Sequence, residues 1–152
     1  MRGVIVAAPS SGSGKTAFTQ ALIRYLVHQG RSVIPAKLGP DYIDPQFLSL
    51  AANRSHGCVN LDSWAMRDGT LAWAIARAEQ QTPDALWVIE GAMGLFDGAA
   101  DGTGSPADIA EKLDLPIILV VNAAKQSASV AALVQGFVRH RPHLRFAGLV
   151  IN

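Results

Sequence analysis

Residues 3–16 read GVIVAAPSSGSGKT, and the order of residue types in this stretch decides the fold. Gly3 to Ala8 is a short apolar, β-branched run, the composition of a strand buried on both faces. Pro9 closes it, and the glycines and serines that follow suit a tight loop. Phe18, Ala21, Leu22, Tyr25 and Leu26 then recur at helical spacing, with Gly30 as the stop. A buried strand, a tight loop and an amphipathic helix in direct succession open an α/β unit.

The loop carries the chemical signal. Ala8–Thr16, APSSGSGKT, departs from G-x-x-x-x-G-K-[ST] only where Pro9 replaces the first glycine; Gly14, Lys15 and Thr16 match. In such a loop the glycines let backbone N–H groups turn inward around phosphate oxygens and the helix start adds its positive end. The lysine brings a point charge, and the threonine hydroxyl can bind Mg²⁺. Ser11, Gly12, Ser13, Gly14, Lys15 and Thr16 are therefore the expected nucleotide-phosphate site, with ATP or a related nucleotide as ligand. Pro9 has no N–H, so the start of the nest must be built differently.

Outward from this unit, Ser32 to Ala36 reads as a second short strand. Trp64 to Gln81 shows helical spacing at Leu71, Ile75 and Ala78, and Leu86 to Ile89 is another apolar strand ending in Glu90. SPAD starts a helix well, because Ser105 can cap, Pro106 fits the first turn and Asp108 sits near the positive helix end. Ile117 to Val121 and Ala147 to Ile151 are further buried-type strands, separated by the apolar-periodic Val130 to Val138. Strands alternating with helices predict a mainly parallel sheet covered on both faces, since each parallel pair needs a crossover.

Glu90 ends an apolar strand, at the edge where ligands collect in parallel sheets, and a carboxylate there commonly serves Mg²⁺ in phosphate-loop enzymes. Lys37–Pro45, KLGPDYIDP, packs one lysine, two aspartates, a glycine and two prolines into nine positions. Proline and glycine content alone leaves it as either a turn or a rigid mount for charge. Geometry favours the mount, because the loops carrying Lys15, Lys37, Asp41, Asp44, Glu90 and Asp97 all leave strand ends that flank the phosphate loop. On that reading the prolines stiffen a loop that delivers Lys37, Asp41 and Asp44 with no helix beneath them. Which aspartate meets metal and which meets substrate stays open.

Other residues are assigned quieter roles. His28, His56, His140 and His143 lack metal-ligand spacing with one another or with Cys58, so they are read as surface residues. Cys58 is read as a packed or partly exposed thiol, and Trp64, Trp73 and Trp87 as core. Asp101 is a supporting or merely solvated residue.

Composition bounds the remaining choices. A chain of 152 residues, 49% hydrophobic and 16% charged, has ample material for one core and shows no internal domain boundary. The net charge of +1, with no basic block, nominates neither nucleic acid nor membrane as a partner. Apolar runs fall well short of the ~20 residues that span a bilayer. A single cysteine and no cleavage site after the N-terminal apolar run place the expected location in the cytoplasm.

Four motifs, APSSGSGKT, KLGPDYIDP, NLDSWAM (Asn60–Met66) and EGAMGLFDG (Glu90–Gly98), stand in the order and at the approximate spacing of one family. The sequence resembles the cobyrinic acid a,c-diamide synthases of cobalamin biosynthesis, including the hydrogenobyrinic acid enzymes. The resemblance runs the whole length of the chain but covers only the front of the family. It implies that residues 1–152 are the N-terminal part of an ATP-dependent amidoligase (synthetase) domain, with a P-loop NTPase-like, dethiobiotin synthetase-like three-layer fold. A C-terminal glutaminase domain supplying ammonia would be absent here, and the strand-like ending GLVIN agrees with a piece of something longer.

The implied activity is ATP-dependent amidation of the a and c side-chain carboxylates of a corrinoid through acyl phosphates, with ammonia from glutamine. The implied roles are phosphate binding by Gly12, Gly14, Lys15 and Thr16, and Mg²⁺ binding by Thr16, Asp44 and Glu90. Lys37 and Asp41 would position the reacting carboxylate, and Asp97 would orient corrinoid or ammonia. A homodimer is an allowed assembly. Two departures stand out: Asn122 where many relatives carry aspartate, and the long, glycine-rich connection GAADGTGSPAD. The alternatives are a dethiobiotin synthetase-like ligase, which would not carry EGAMGLFDG, and a ParA- or MinD-like ATPase switch. The switch usually has a signature lysine early in the loop, where Ser10 and Ser11 stand here. A fragment that binds nucleotide without catalysis is a further alternative.

Overall fold

A computed structural model of the chain describes residues 1–54 and 57–152. Elements alternate from β1 (Gly3–Ala7), α1 (Lys15–His28), β2 (Val33–Leu38) and α2 (Asp44–Ala51) to β3 (Val59–Leu61) and α3 (Asp68–Gln81). They continue through β4 (Leu86–Glu90), α4 (Pro106–Leu113), β5 (Ile117–Val121) and α5 (Val130–His140) to β6 (Phe146–Ile151). The strands form one six-stranded sheet in the order β3-β2-β4-β1-β5-β6, and every pairing is parallel. The expected three-layer α/β fold is the one observed.

Alternation along β1 divides the core into two. Ile5 and Ala7 point into the cluster under α3, α4 and α5, while Val6 and Ala8 point into the one under α1 and α2. Adjacent strands β1 and β4 therefore send their following helices, α1 and α4, to opposite faces. This is the arrangement that leaves a ligand crevice at the carboxyl ends of an open parallel sheet. Pro35 gives no N–H to the ladder, and the pairing of β2 with β3 begins one residue later, at Ala36.

The start of α4 follows the sequence reading in detail. Ser105 Oγ accepts from Asp108 N at 3.2 Å, and the Asp108 carboxylate accepts from Ser105 N at 2.9 Å, a complete capping box. The segment from Trp64 does not become helical until Asp68. Asp62 Oδ1 accepts from the N–H groups of Trp64 and Ala65 and holds these residues in a turn.

Two further features depart from expectation. Lys37 and Leu38 complete β2, while Asp44 and Pro45 open α2, so a helix does lie beneath the end of KLGPDYIDP. Proline suits a first helical turn, and Leu48, fully buried, anchors the helix. The tryptophans also divide: Trp87 is core, Trp73 is 60% exposed with Arg77 stacked on it, and Trp64 is half-buried.

Candidate functional site

The strands place the charged residues before any loop does. Lys37 is paired with Glu90 on one side and with Asn60 on the other, so three polar side chains occupy one level of the sheet near its carboxyl edge. Glu90 is fully buried and Lys37 nearly so. The Lys37 ammonium lies 2.7 Å from Glu90 Oε1, 2.7 Å from Asp44 Oδ2 and 3.3 Å from Asp41 Oδ2. Burial pulls this ammonium toward neutrality, but Glu90 and Asp44 more than offset that, and its pKa is raised above the ordinary 10.5.

Thr16, in the first turn of α1, closes the cluster. Its Oγ1 lies 2.6 Å from Glu90 Oε1 and 3.3 Å from Asp44 Oδ2. Asp44 thus joins Thr16, Lys37 and Glu90, whereas Asp41 does different work. Its Oδ1 accepts from the N–H groups of Ile43 and Asp44, at 2.9 and 3.2 Å, and so forms a turn that leads into α2. Both aspartates reach Lys37, and Asp44 also reaches Thr16.

The phosphate loop lies beside this cluster. Gly14 adopts a left-handed conformation (φ 92°) at the N-cap of α1. The N–H groups of Ser11 to Thr16 meet no protein acceptor among the described residues, the condition expected of an anion nest. Without a donor at Pro9, the loop is held from outside: Leu95 N donates to Ala8 O at 2.8 Å. Ser13 is buried, and its Oγ donates to Ser10 O at 2.9 Å, stapling the loop rather than facing the ligand. Lys15 Nζ donates to Met93 O at 2.6 Å and Ser10 O at 3.2 Å. Burial, and then neighbouring Lys37, lower its pKa from the ordinary lysine value.

These residues share a cleft of about 790 Å³ lined by Ser11, Gly12, Gly14, Lys15, Thr16, Lys37, Asp41, Asp44 and Glu90, with Trp64 and Met93 at its side. Ser13 and Asp97 do not line it. Asp97 Oδ2 accepts from Gly94 N at 2.8 Å and shapes the loop that carries Met93. The buried Glu90 Oε2 has no partner among the described residues, and Glu90, Asp44 and Thr16 offer only oxygen donors, a set suited to a hard cation. No group of three or more His, Cys, Asp or Glu side chains with metal-holding geometry occurs among the described residues.

Over residues 4–152 the chain matches the family described as the CobQ/CobB/MinD/ParA nucleotide binding domain. The chain belongs to that family. The resemblance drawn from its motifs holds across its length. It is 53% identical, over all of this chain, to the hydrogenobyrinate a,c-diamide synthase of Rhizobium meliloti (strain 1021). It is 49% identical to the proteins of that name from Brucella anthropi and Mesorhizobium japonicum, over 100% and 99% of this chain. It spans 34% of the length of each.

Several features of this CobQ/CobB/MinD/ParA domain were not assigned from sequence. Asn60 Nδ2 donates to Asp41 O at 3.0 Å, and Asn152 Nδ2 donates to Ser13 O at 3.2 Å. Ser63 Oγ and Trp64 Nε1 both donate to Gly104 O, at 2.6 and 3.2 Å, tying the NLDSWAM segment to the glycine-rich connection. Asn60 and Trp64 lay within a quoted motif, but nothing in the motif says what they touch.

The quieter residues also find places. Asp101 is exposed, and its Oδ1 accepts from both N and Oγ1 of Thr103, so it forms a local turn. Asn122 is exposed and accepts from Ala124 N at 2.9 Å. His28, His140 and His143 are exposed, with His140 against the Phe96 ring, while His56 lies outside the described residues. Cys58 is a half-buried free thiol whose pKa is pushed up to about 12, chiefly by burial. No helix among the described residues is long and apolar enough to cross a membrane.

Proposed function

We propose that this chain is the ATP-binding, phosphoryl-transferring part of a ligase that amidates the a and c side-chain carboxylates of hydrogenobyrinic or cobyrinic acid in cobalamin biosynthesis. The observation that carries the reading is the junction of Thr16, Asp44, Lys37 and Glu90 beside an open phosphate nest. A carboxylate is a poor electrophile. Transfer of the γ-phosphoryl group of ATP to a carboxylate oxygen gives an acyl phosphate and ADP. Ammonia then attacks its carbonyl carbon, expelling phosphate and leaving the amide.

Each residue has a place in that sequence. The N–H groups of Ser11 to Thr16 receive phosphate oxygens, and Lys15 exchanges the carbonyls of Met93 and Ser10 for phosphate. Lys37 is held charged by Glu90 and Asp44, and it steadies the negative charge shared by the reacting carboxylate and the phosphoryl group in flight. Asp41 fixes the turn that presents Asp44, and Asp97 fixes the loop on the opposite wall. Thr16, Asp44 and Glu90 would hold Mg²⁺. Mg²⁺ there supplies charge neutralisation along the polyphosphate.

Ammonia would come from glutamine through a glutaminase unit of the kind the full-length relatives leave room for. A cytoplasmic setting, where ATP is abundant, suits this chemistry. The deciding assay incubates the chain with MgATP, hydrogenobyrinic acid and ammonium, and reads the product mass. One or two amidations support the reading. ATP turnover stimulated by DNA or lipid, with no amide formed, sinks it.

A further inference from the structure

We propose that Trp64 is a specificity-determining residue for the acid that receives the phosphoryl group. Its indole is the platform on which the flat, apolar body of the corrinoid rests while one side-chain carboxylate reaches Lys37. The proposal rests on the reading of the cleft as a site of carboxylate activation. Beyond the phosphate loop and the cluster of Lys37, Asp44 and Glu90, the cleft lining is mainly apolar, with Pro40, Tyr42, Ile43, Trp64, Ala92 and Met93. A polyphosphate has no use for such a surface. An acid with a broad apolar body does.

Among these side chains Trp64 is the one built in advance. Tyr42 and Ile43 stand 78% and 71% exposed, whereas Trp64 is half-buried and held at both ends. Its backbone N–H donates to Asp62 Oδ1 at 3.1 Å, and its Nε1 donates to Gly104 O at 3.2 Å. The same carbonyl accepts from Ser63 Oγ at 2.6 Å. With its polar tip satisfied on the protein side, the indole has only apolar surface left to offer the cleft it lines.

The mount is rigid. Gly104 directly precedes Ser105, the fully buried cap of α4, and the Asp108 carboxylate that accepts from Ser105 N is itself paired with Arg141. The approach of this segment to the ring is as close as backbone allows. Gly104 sits at φ +75°, and a Cβ added there would stand 2.6 Å from Ser63 O and 2.9 Å from Trp64 Cδ1. The glycine-rich connection is thus the support of the ring. A side chain fixed before binding loses little freedom when substrate arrives, which is how it can select for shape.

The test measures amidation with ammonium, varying hydrogenobyrinic acid and MgATP separately, in wild type, Trp64→Ala, Trp64→Phe and Gly104→Ala. Trp64→Ala is expected to raise KM for the acid about 10-fold, the scale of one lost aromatic contact, with KM for MgATP near wild type. Trp64→Phe keeps a flat ring without the N–H and recovers part of that loss. Gly104→Ala, which alters the mount and not the ring, moves the same KM in the same direction. An unchanged acid KM in Trp64→Ala overturns the proposal. So does an equal rise in both KM values, which would mark a structural role or a contact with the nucleotide.

Equilibrium titration with hydrogenobyrinic acid in the presence of MgADP supplies the second measurement. The dissociation constant should rise in Trp64→Ala by the same factor as KM. If wild type binds the acid but forms no amide, the amidation reading falls alone, and the binding comparison still judges Trp64. If wild type does not bind the acid, the Trp64 proposal falls whatever the result with ATP.

Discussion

The Lys37 ammonium and the Glu90 carboxylate face each other at 2.7 Å from paired positions on adjacent strands, both buried at the floor of the cleft. Removing one member of such a pair strands the other as a buried charge. Lys37→Met is expected to destabilise the chain by about 3–5 kcal/mol in urea titrations. The double variant Lys37→Met with Glu90→Gln should cost less than the sum of the single changes. Additive losses would show that the two side chains do not act as a pair.

Gly14 and Gly12 both sit at positive φ, 92° and 76°, but only Gly14 is crowded. An added Cβ meets nothing within 4 Å at Gly12 and stands 2.4 Å from Asn152 at Gly14. Gly12→Ala should cost about 1–2 kcal/mol of backbone strain. Gly14→Ala should cost more, because the Asn152 amide must also swing aside, and should weaken MgATP binding in calorimetry. Equal effects of the two would contradict the close approach.

The Asp108 carboxylate joins the cap of α4 to Arg141, with Oδ1 2.6 Å from the guanidinium. Burial pushes its pKa up, but Arg141 and Ser105 outweigh this and hold it below the ordinary 3.8. A depressed carboxylate contributes stability that is present above its unfolded pKa and is lost as pH falls through the folded one. Asp108→Asn should therefore lower the urea midpoint near neutrality and flatten its decline below about pH 4. A difference between variant and wild type that is the same at every pH would remove Asp108 from the acid response.

Cys58, with its pKa pushed up to about 12, remains a thiol under ordinary conditions. Iodoacetamide at about pH 8 should label the folded chain at least 10-fold more slowly than the chain in urea. Comparable rates would mean that the thiol is neither desolvated nor protected.

Asn60 holds the Asp41 carbonyl without touching the phosphate loop. Asn60→Ala should leave MgATP affinity near wild type and slow amidation about 5- to 10-fold, the loss expected for one hydrogen bond. A variant that loses ATP affinity instead would place Asn60 in the nucleotide half of the site.

What could be read from residues alone follows the strength of the local pattern. Gly3–Ala7 and Ile117–Val121 are unbroken apolar runs, and buried parallel strands have no other common composition. β3 has three residues with Asn60 at its centre, too short and too polar to announce itself. α2 hides its period because Phe47 and Leu50 are 51% and 74% exposed, so its apolar residues do not mark one face. In the cleft, Lys15, Thr16, Lys37, Asp44 and Glu90 could be nominated from residue type and from their place at or just beyond strand ends. Asn60, Asn152 and the Met93 carbonyl could not, since each acts through a backbone group of another segment, and sequence does not display such partners.

The contact between Thr16 and Glu90 joins positions 74 residues apart, and that between Lys37 and Glu90 joins positions 53 apart. None of the loops can hold its charges in place until β1, β2 and β4 lie side by side. Closing such long separations is slow, and its entropy is recovered only when the sheet forms. Binding competence therefore requires the sheet to be complete. A ligand captured by this cleft reports a completed sheet, and by mass action it also draws the chain toward that state.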